Sequence, residues 1–127
     1  WIKNKGLPIK DLYIADASGL SRNNRVTTNL IASFLHKMRF NYNYEIYAST
    51  LSIMGMRGTL ANSLVNNKIN GKFFGKTGTL SNVFALSGYF HKNNKIYSIS
   101  IIQNSSFIDK NKIFKFLNDL YEIDECK

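Results

Sequence analysis

The sequence has one cysteine in 127 residues, Cys126, so an internal disulfide is impossible. Its place beside the C-terminus reads as a frayed-tail thiol rather than a redox or metal ligand. This does not fix the compartment, because many exported bacterial domains lack disulfides. Long apolar runs are missing as well: the longest are a few residues, against the roughly 20 needed to cross a bilayer. No targeting segment opens the chain. Acidic residues are scarce, 8 against 17 basic ones, for a formal charge of +9. There is also no block of five or six like charges that would mark a charged tail. Apolar residues make up 44% and charged residues 20%, a globular mix that excludes a disordered tail, a collagen-like repeat and a coiled coil. The length fits one domain or part of one. The start at Trp1 rather than Met leads us to expect an excised piece of a longer protein.

The positive charge raises the question of a nucleic-acid partner. Thirteen of the 17 basic residues are lysines, accompanied by 16 Asn and 14 Ile, the trio that an AT-rich genome enriches at permissive surface positions. The cations are scattered (Lys3, Lys10, Lys37, Lys68, Lys92, Lys112) and read as solvated surface. Attraction to an anionic envelope polymer or membrane surface comes second, and no nucleic-acid partner is expected. The aromatic residues fall at core spacings rather than as stacking platforms. His36 and His91 have no partner in sequence and read as structural.

Residues 7–15 form an extended apolar approach to the polar stretch 16–24. Leu30, Ile31, Phe34, Leu35 and Met38 then recur at three- and four-residue spacing, an amphipathic helix that Thr27 or Thr28 can cap. A second helix is expected over 45–53, with Asn43 near its start and Gly55 past its end, and a short one over 59–65. The period then changes to two. Residues 72–80, 83–90 and 96–103 predict three strands, with Asn93-Asn94 as a hairpin turn because Asn tolerates positive φ. Ile113, Phe114, Leu117, Leu120 and Tyr121 make the stripe of a last helix, for which Ser106 and Asp109 resemble a capping box. Antiparallel strands covered by helices imply an α/β sandwich.

Two segments do not follow this packing logic. Asp16-Ala17-Ser18-Gly19-Leu20-Ser21-Arg22-Asn23-Asn24 is polar, carries a Gly and is expected between a strand and a helix, where loops carry function. Gly75-Lys76-Thr77-Gly78-Thr79 interrupts an apolar strand with two glycines, which mark close approach of a ligand or another backbone. A lysine among small hydroxyl residues there can hold a carboxylate, while the strand edge offers N–H and C=O groups to an extended peptide. Taken alone, Ser21 reads as a loop or cap serine and Lys76 as an edge-protecting lysine.

In order, Ser-x-Asn (Ser21, Asn23) and Lys-Thr-Gly (Lys76, Thr77, Gly78) are two of the three motifs of penicillin-binding proteins and serine β-lactamases. The run from Asp16 to Thr27 closely resembles the Asp-Gly-Ser-Gly-Leu-Ser-Arg stretch of class C low-molecular-mass penicillin-binding proteins, the D-alanyl-D-alanine carboxypeptidases and endopeptidases. Met56-Arg57-Gly58-Thr59-Leu60 is similar to that family's Gly-Thr-Leu segment, residues 76–80 to its Lys-Thr-Gly-Thr/Ser-Leu, and residues 1–6 to the helix end before the second motif. Ala17 replaces the usual Gly. No Ser-x-x-Lys, the nucleophile motif, occurs anywhere in the chain; in this family it lies far upstream.

The resemblance implies the C-terminal part, residues 1–127, of a single penicillin-binding transpeptidase-like domain, with an antiparallel three-strand portion of its sheet flanked by helices. It implies an enzyme that cleaves D-Ala-D-Ala in peptidoglycan stem peptides, or their cross-links, through an acyl-serine intermediate, and that penicillins acylate. The chain by itself would be inactive. No cofactor and no metal are implied, and the location would be the bacterial periplasm or the outer face of the cytoplasmic membrane. Ser21 would relay a proton toward the leaving amine, hydrogen-bonded to Lys76. Asn23 would hold the substrate amide or the catalytic lysine, and Lys76 would supply positive potential. Thr77 and Thr79 would bind the substrate's terminal carboxylate, the Thr79 N–H would form half of an oxyanion hole, and Gly78 would admit the substrate. Arg22, Asn24 and Arg25 would brace the loop. The alternatives are a serine β-lactamase and a basic nucleic-acid-binding module. In the family, two strands from the start of the domain complete the sheet. We therefore expect an open edge at 96–103, covered by self-association or by the N-terminal segment, and a last helix with Phe114 or Leu117 exposed.

Overall fold

The alternation in the second half of the chain builds the sheet. In the computed structural model, which describes residues 2–123, strands β2 (Phe73–Leu80), β3 (Val83–Lys92) and β4 (Lys95–Asn104) form an antiparallel meander. A two-residue strand, β1 (Ser52–Ile53), is added on the outside of β2, giving the order β1-β2-β3-β4. Asn93 and Asn94 take φ of 50° and 61° between the paired Lys92 and Lys95, the two-residue turn whose twist matches the strands it joins. Trp1 and Cys126 lie outside the described residues.

Each face of the sheet carries its own core. Phe84, Leu86 and Phe90 of β3 point to one face, where Phe73, Met54, Leu60 and Ile69 join them, covered by Ile113 and Leu117 of helix α3 (Lys110–Glu122). Tyr89 points to the other face, against Leu35 and Leu51, with Phe34 of helix α1 (Thr28–Met38) and Tyr44 and Tyr47 of helix α2 (Tyr44–Ser49) packed around them. The Tyr89 hydroxyl donates to the Leu35 carbonyl at 2.8 Å. This satisfies a buried polar group and ties α1 to the sheet. Helices on both faces of an antiparallel sheet are the expected α/β architecture.

Several local expectations change. The second helix stops at Ser49 instead of running to 53. The Ser49 and Thr50 hydroxyls donate back to the carbonyls of Ile46 and Tyr47 at 2.7 Å, and Ser52–Ile53 is taken by pairing with Phe74 and Gly75. The helix expected over 59–65 is a single 3-10 turn, Gly58–Leu60, because Leu64 turns to φ 54°. Asp109, not Ser106, caps α3, its carboxylate accepting from Lys112 N at 3.0 Å; a charged acceptor suits a helix N-terminus better than a hydroxyl. Leu117 is fully buried and Phe114 packs edge-on against Phe84 at 6.1 Å, so the exposed phenylalanine of α3 is Phe116. Among the described residues, the N-terminal segment does not pair with β4, whose strand neighbour is β3.

Candidate active site

One carboxylate organises the polar loop. Asp16 accepts hydrogen bonds from Asn24 Nδ2 at 2.9 Å, Ser21 N at 2.8 Å, Gly19 N at 3.0 Å and Ser18 Oγ at 3.0 Å. These donors favour the ionised form and bring its pKa from 3.8 to about 2; Asn24 contributes most, against a smaller desolvation, followed by Ser21, Ser18 and Gly19. Asn24 closes the knot by accepting from Ala15 N at 2.8 Å. Tyr13 and Arg25 exchange both backbone hydrogen bonds, at 3.0 and 2.8 Å, across its neck. Gly19 supplies the positive φ, 77°, that the reversal requires. Ser21 is half-buried and its Oγ accepts from Asn23 N at 3.2 Å, whereas the Asn23 side chain is exposed. Ala17 is exposed and outside this network.

Arginine fixes the loop to the sheet. The Arg22 guanidinium donates to the carbonyl and the hydroxyl of Ser81, in the turn that ends β2. Arg25 in turn donates to the carbonyls of Arg22 (3.0 Å) and Asn24 (3.4 Å). The bracing expected of Arg22, Asn24 and Arg25 is thus present in hydrogen bonds. Behind the loop lies an apolar cavity of about 450 Å³, walled by Leu7, Leu12, Tyr13 and Phe34; neither Ser21 nor Lys76 lines it.

The second segment lies along the outer side of β2. Because β1 pairs only with Phe74 and Gly75, the edge from Lys76 to Leu80 has no strand beyond it among the described residues. Lys76 is exposed and its Nζ donates to Thr77 O at 2.5 Å. The register places Lys76 opposite Ser87 and Thr77 opposite Leu86, so the lysine and the two threonines point to opposite faces and the edge runs between them. An open depression of about 690 Å³ beside Thr79 is bounded across from it by Ser106 and Asp109.

The glycines of this strand have different reasons. A Cβ at Gly75 would meet the Phe73 ring at 2.4 Å and Ser87 O at 2.8 Å, and one at Gly88, its cross-strand partner, would meet Phe74 O at 2.1 Å. This pair is glycine for packing. At Gly78 the nearest atom would be Ala85 Cβ at 3.7 Å, so nothing among the described residues requires a glycine there.

The fold therefore brings the loop and the strand together through Arg22 and Ser81, while the Ser21 hydroxyl and the Lys76 ammonium form their hydrogen bonds separately. Sequence reasoning gave Asp16 no role and had only a resemblance at Thr59, whose Oγ1 lies 2.9 Å from Thr77 Oγ1. His36 packs edge-on against Phe40 at 5.4 Å and His91 lies tilted against Phe74 at 5.0 Å. The His91 pKa lies below its usual 6.5 through burial, with Arg39 and Lys72 adding to the shift. Both histidines stay out of the site.

Residues 2–119 match the family model described as the D-Ala-D-Ala carboxypeptidase 3 (S13) family. The chain belongs to that family. Among S13 relatives, it is 33% identical over 104 residues to a D-alanyl-D-alanine carboxypeptidase of Actinomadura sp. (strain R39), covering 78% of this chain and 19% of that protein. It is 29% identical over 114 residues to the penicillin-sensitive carboxypeptidase A of Dictyostelium discoideum, covering 83% and 22%. The crystal structure of penicillin binding protein 4 (dacB) from Haemophilus influenzae superposes with a TM-score of 0.78 at 25% identity, over 94% of this chain and 29% of that one. This S13 chain spans about a fifth of the length of the curated relatives it matches.

Proposed function

We propose that this chain is the C-terminal part of a serine-type D-Ala-D-Ala carboxypeptidase or endopeptidase and carries its second and third active-site motifs. The observation that carries this reading is the tether of the Ser21–Asn23 loop to the end of the Lys76–Thr79 strand, in a chain whose family and relatives are D-Ala-D-Ala carboxypeptidases. The substrate in this reading is a peptidoglycan stem peptide and the inhibitors are β-lactams; one relative is named penicillin-sensitive. The site of action is the periplasm or the outer face of the cytoplasmic membrane. No helix among the described residues is long and apolar enough to cross a membrane.

A serine hydroxyl is a weak nucleophile until a base takes its proton, and both serine and base belong to the upstream motif. On attack, the serine oxygen–carbon bond forms and the carbon–nitrogen bond of the terminal amide breaks. The serine proton ends on the leaving D-alanine amine, passed on by the Ser21 hydroxyl. Lys76 has three donors, of which the Thr77 carbonyl holds one. The others and the charge serve the Ser21 side of the site and the substrate carboxylate. The substrate lies along the open edge of β2, its carboxylate on the Thr77 and Thr79 hydroxyls and its carbonyl oxygen on the Thr79 N–H, a contact worth about 2.7–4 kcal/mol in a transition state. Asn23 holds the substrate amide or the catalytic lysine. Gly78 leaves room for the substrate backbone.

In the longer protein, Lys76→Ala slows acylation by benzylpenicillin on the order of 100-fold with the fold intact. Unchanged acylation removes the site assignment. No observation favours a β-lactamase or a nucleic-acid-binding module. In isolation the chain also self-associates through the uncharged edge 96–103, with a second copy as the occupant.

A further inference from the structure

The geometry points to Thr59 as a positioning residue that sets the Thr77 hydroxyl as a donor to an anionic ligand, and so makes the site selective for substrates with a free carboxylate. The inference rests on the function proposed above and adds to it a residue outside both motifs.

Three hydroxyls form a line. Ser52 Oγ lies 3.3 Å from Thr59 Oγ1, which lies 2.9 Å from Thr77 Oγ1, and Ser52 Oγ also accepts from Thr59 N at 3.2 Å. Each hydroxyl has one proton to give, so the line runs in one of two directions or has Thr59 accept from both neighbours, which also uses the Thr77 proton inside the chain. Running from Thr77 through Thr59 to Ser52, it uses the Thr77 proton inside the chain and presents only lone pairs to a ligand. Running from Ser52 through Thr59 to Thr77, it leaves the Thr77 proton free for an acceptor on the open edge. A carboxylate, which only accepts, selects the second direction, and a line of aligned donors strengthens the last hydrogen bond.

The segment that carries Thr59 is held in place on several sides. Arg57 Nη2 donates to the carbonyls of Ser49 (2.7 Å) and Leu51 (2.8 Å). Arg57 and Ile53 exchange backbone hydrogen bonds at 3.0 Å, and Gly55 N donates to Leu60 O at 2.9 Å. Leu60, next to Thr59, is fully buried. Gly58 has φ +69°, and a Cβ there would lie 2.4 Å from Ser52 Oγ, so only glycine allows the turn to approach the serine. Thr59 itself is exposed and adds nothing to the core; its partner is the strand residue one position from Lys76.

The test uses the longer protein and a pair of ligands with the same reactive lactam: benzylpenicillin, with a free carboxylate, and its methyl ester, without one. Thr59→Val keeps the shape and removes the hydroxyl. The ratio of acylation rates, acid over ester, falls roughly fivefold, the scale of one hydrogen bond, and Thr59→Ser restores it. Ser52→Ala lowers the same ratio by a smaller factor, which keeps the test open if the valine variant does not fold. An unchanged ratio in both the valine and the alanine variants, or equal losses with acid and ester, overturns the positioning role. Failure of the unmodified protein to react with benzylpenicillin overturns the underlying function instead, so the two failures are separate.

Discussion

Asp16 shows how much of the site's shape rests on a residue that does no chemistry. Its pKa is lowered to about 2 by four donors, so the folded state binds a proton there less readily than the unfolded chain does. The stabilisation is complete above the ordinary 3.8 and is lost as pH falls through about 2. A carboxyl titration followed by NMR gives a midpoint near 2, with the Gly19 and Ser21 amides moving at the same pH; a midpoint near 3.8 contradicts the knot. The glycines make a second residue-scale contrast. Gly88→Ala destabilises the chain by about 1–3 kcal/mol in denaturant melts, because its Cβ would enter the Phe74 carbonyl. Gly78→Ala shifts stability by less than about 0.5 kcal/mol but slows acylation of the longer protein about tenfold, since the space it fills is the substrate's. Equal effects on stability from both would remove the reason given for Gly78. Ser21, Asn23, Lys76, Thr77, Gly78 and Thr79 could be named as candidates from the sequence because they occur in short motifs. The contact of Thr59 with Thr77 joins residues 18 apart and has no local pattern to announce it. Asp16 was visible only as part of a polar stretch, because the fold alone brings its donors together.

At the scale of elements, the strands were legible within one or two residues, since alternation and the Asn-Asn turn are local signals. The short elements were not. Residues 52–53 read as the end of a helix, but they pair with strand residues 21 and 23 positions on, and Gly58 and Leu64 at positive φ cut a helix to one turn. The same lesson applies to β4. Its segment 96–103 carries no charge, its pattern is half-buried throughout, and its outer side has no strand among the described residues. A long, uncharged edge is a template for another chain. Light scattering on the isolated 127-residue chain is expected to give a mass above the monomer that rises with concentration. A constant monomer mass with that edge bare to solvent rules out the pairing.

For the molecule as a whole, part of the charge of +9 is used inside the fold. All four arginines donate to the chain's own backbone: Arg22 to Ser81, Arg25 to Arg22 and Asn24, Arg39 to Ile96, and Arg57 to Ser49 and Leu51. The arginines thus bind loop to sheet and helix to strand. The fold also leaves a prepared strand edge beside a fixed polar loop, in a chain without a Ser-x-x-Lys. In the function proposed above, such a half-site would be completed by the nucleophile of the upstream motif. The most direct measurement is mass spectrometry of the penicillin adduct, mapped by peptide, on the longer protein and on the 127-residue chain side by side. The expected result is one adduct on the longer protein, on the serine of a Ser-x-x-Lys upstream of Trp1, and none on the short chain. An adduct on any serine within residues 1–127, or no adduct on the longer protein, contradicts the account.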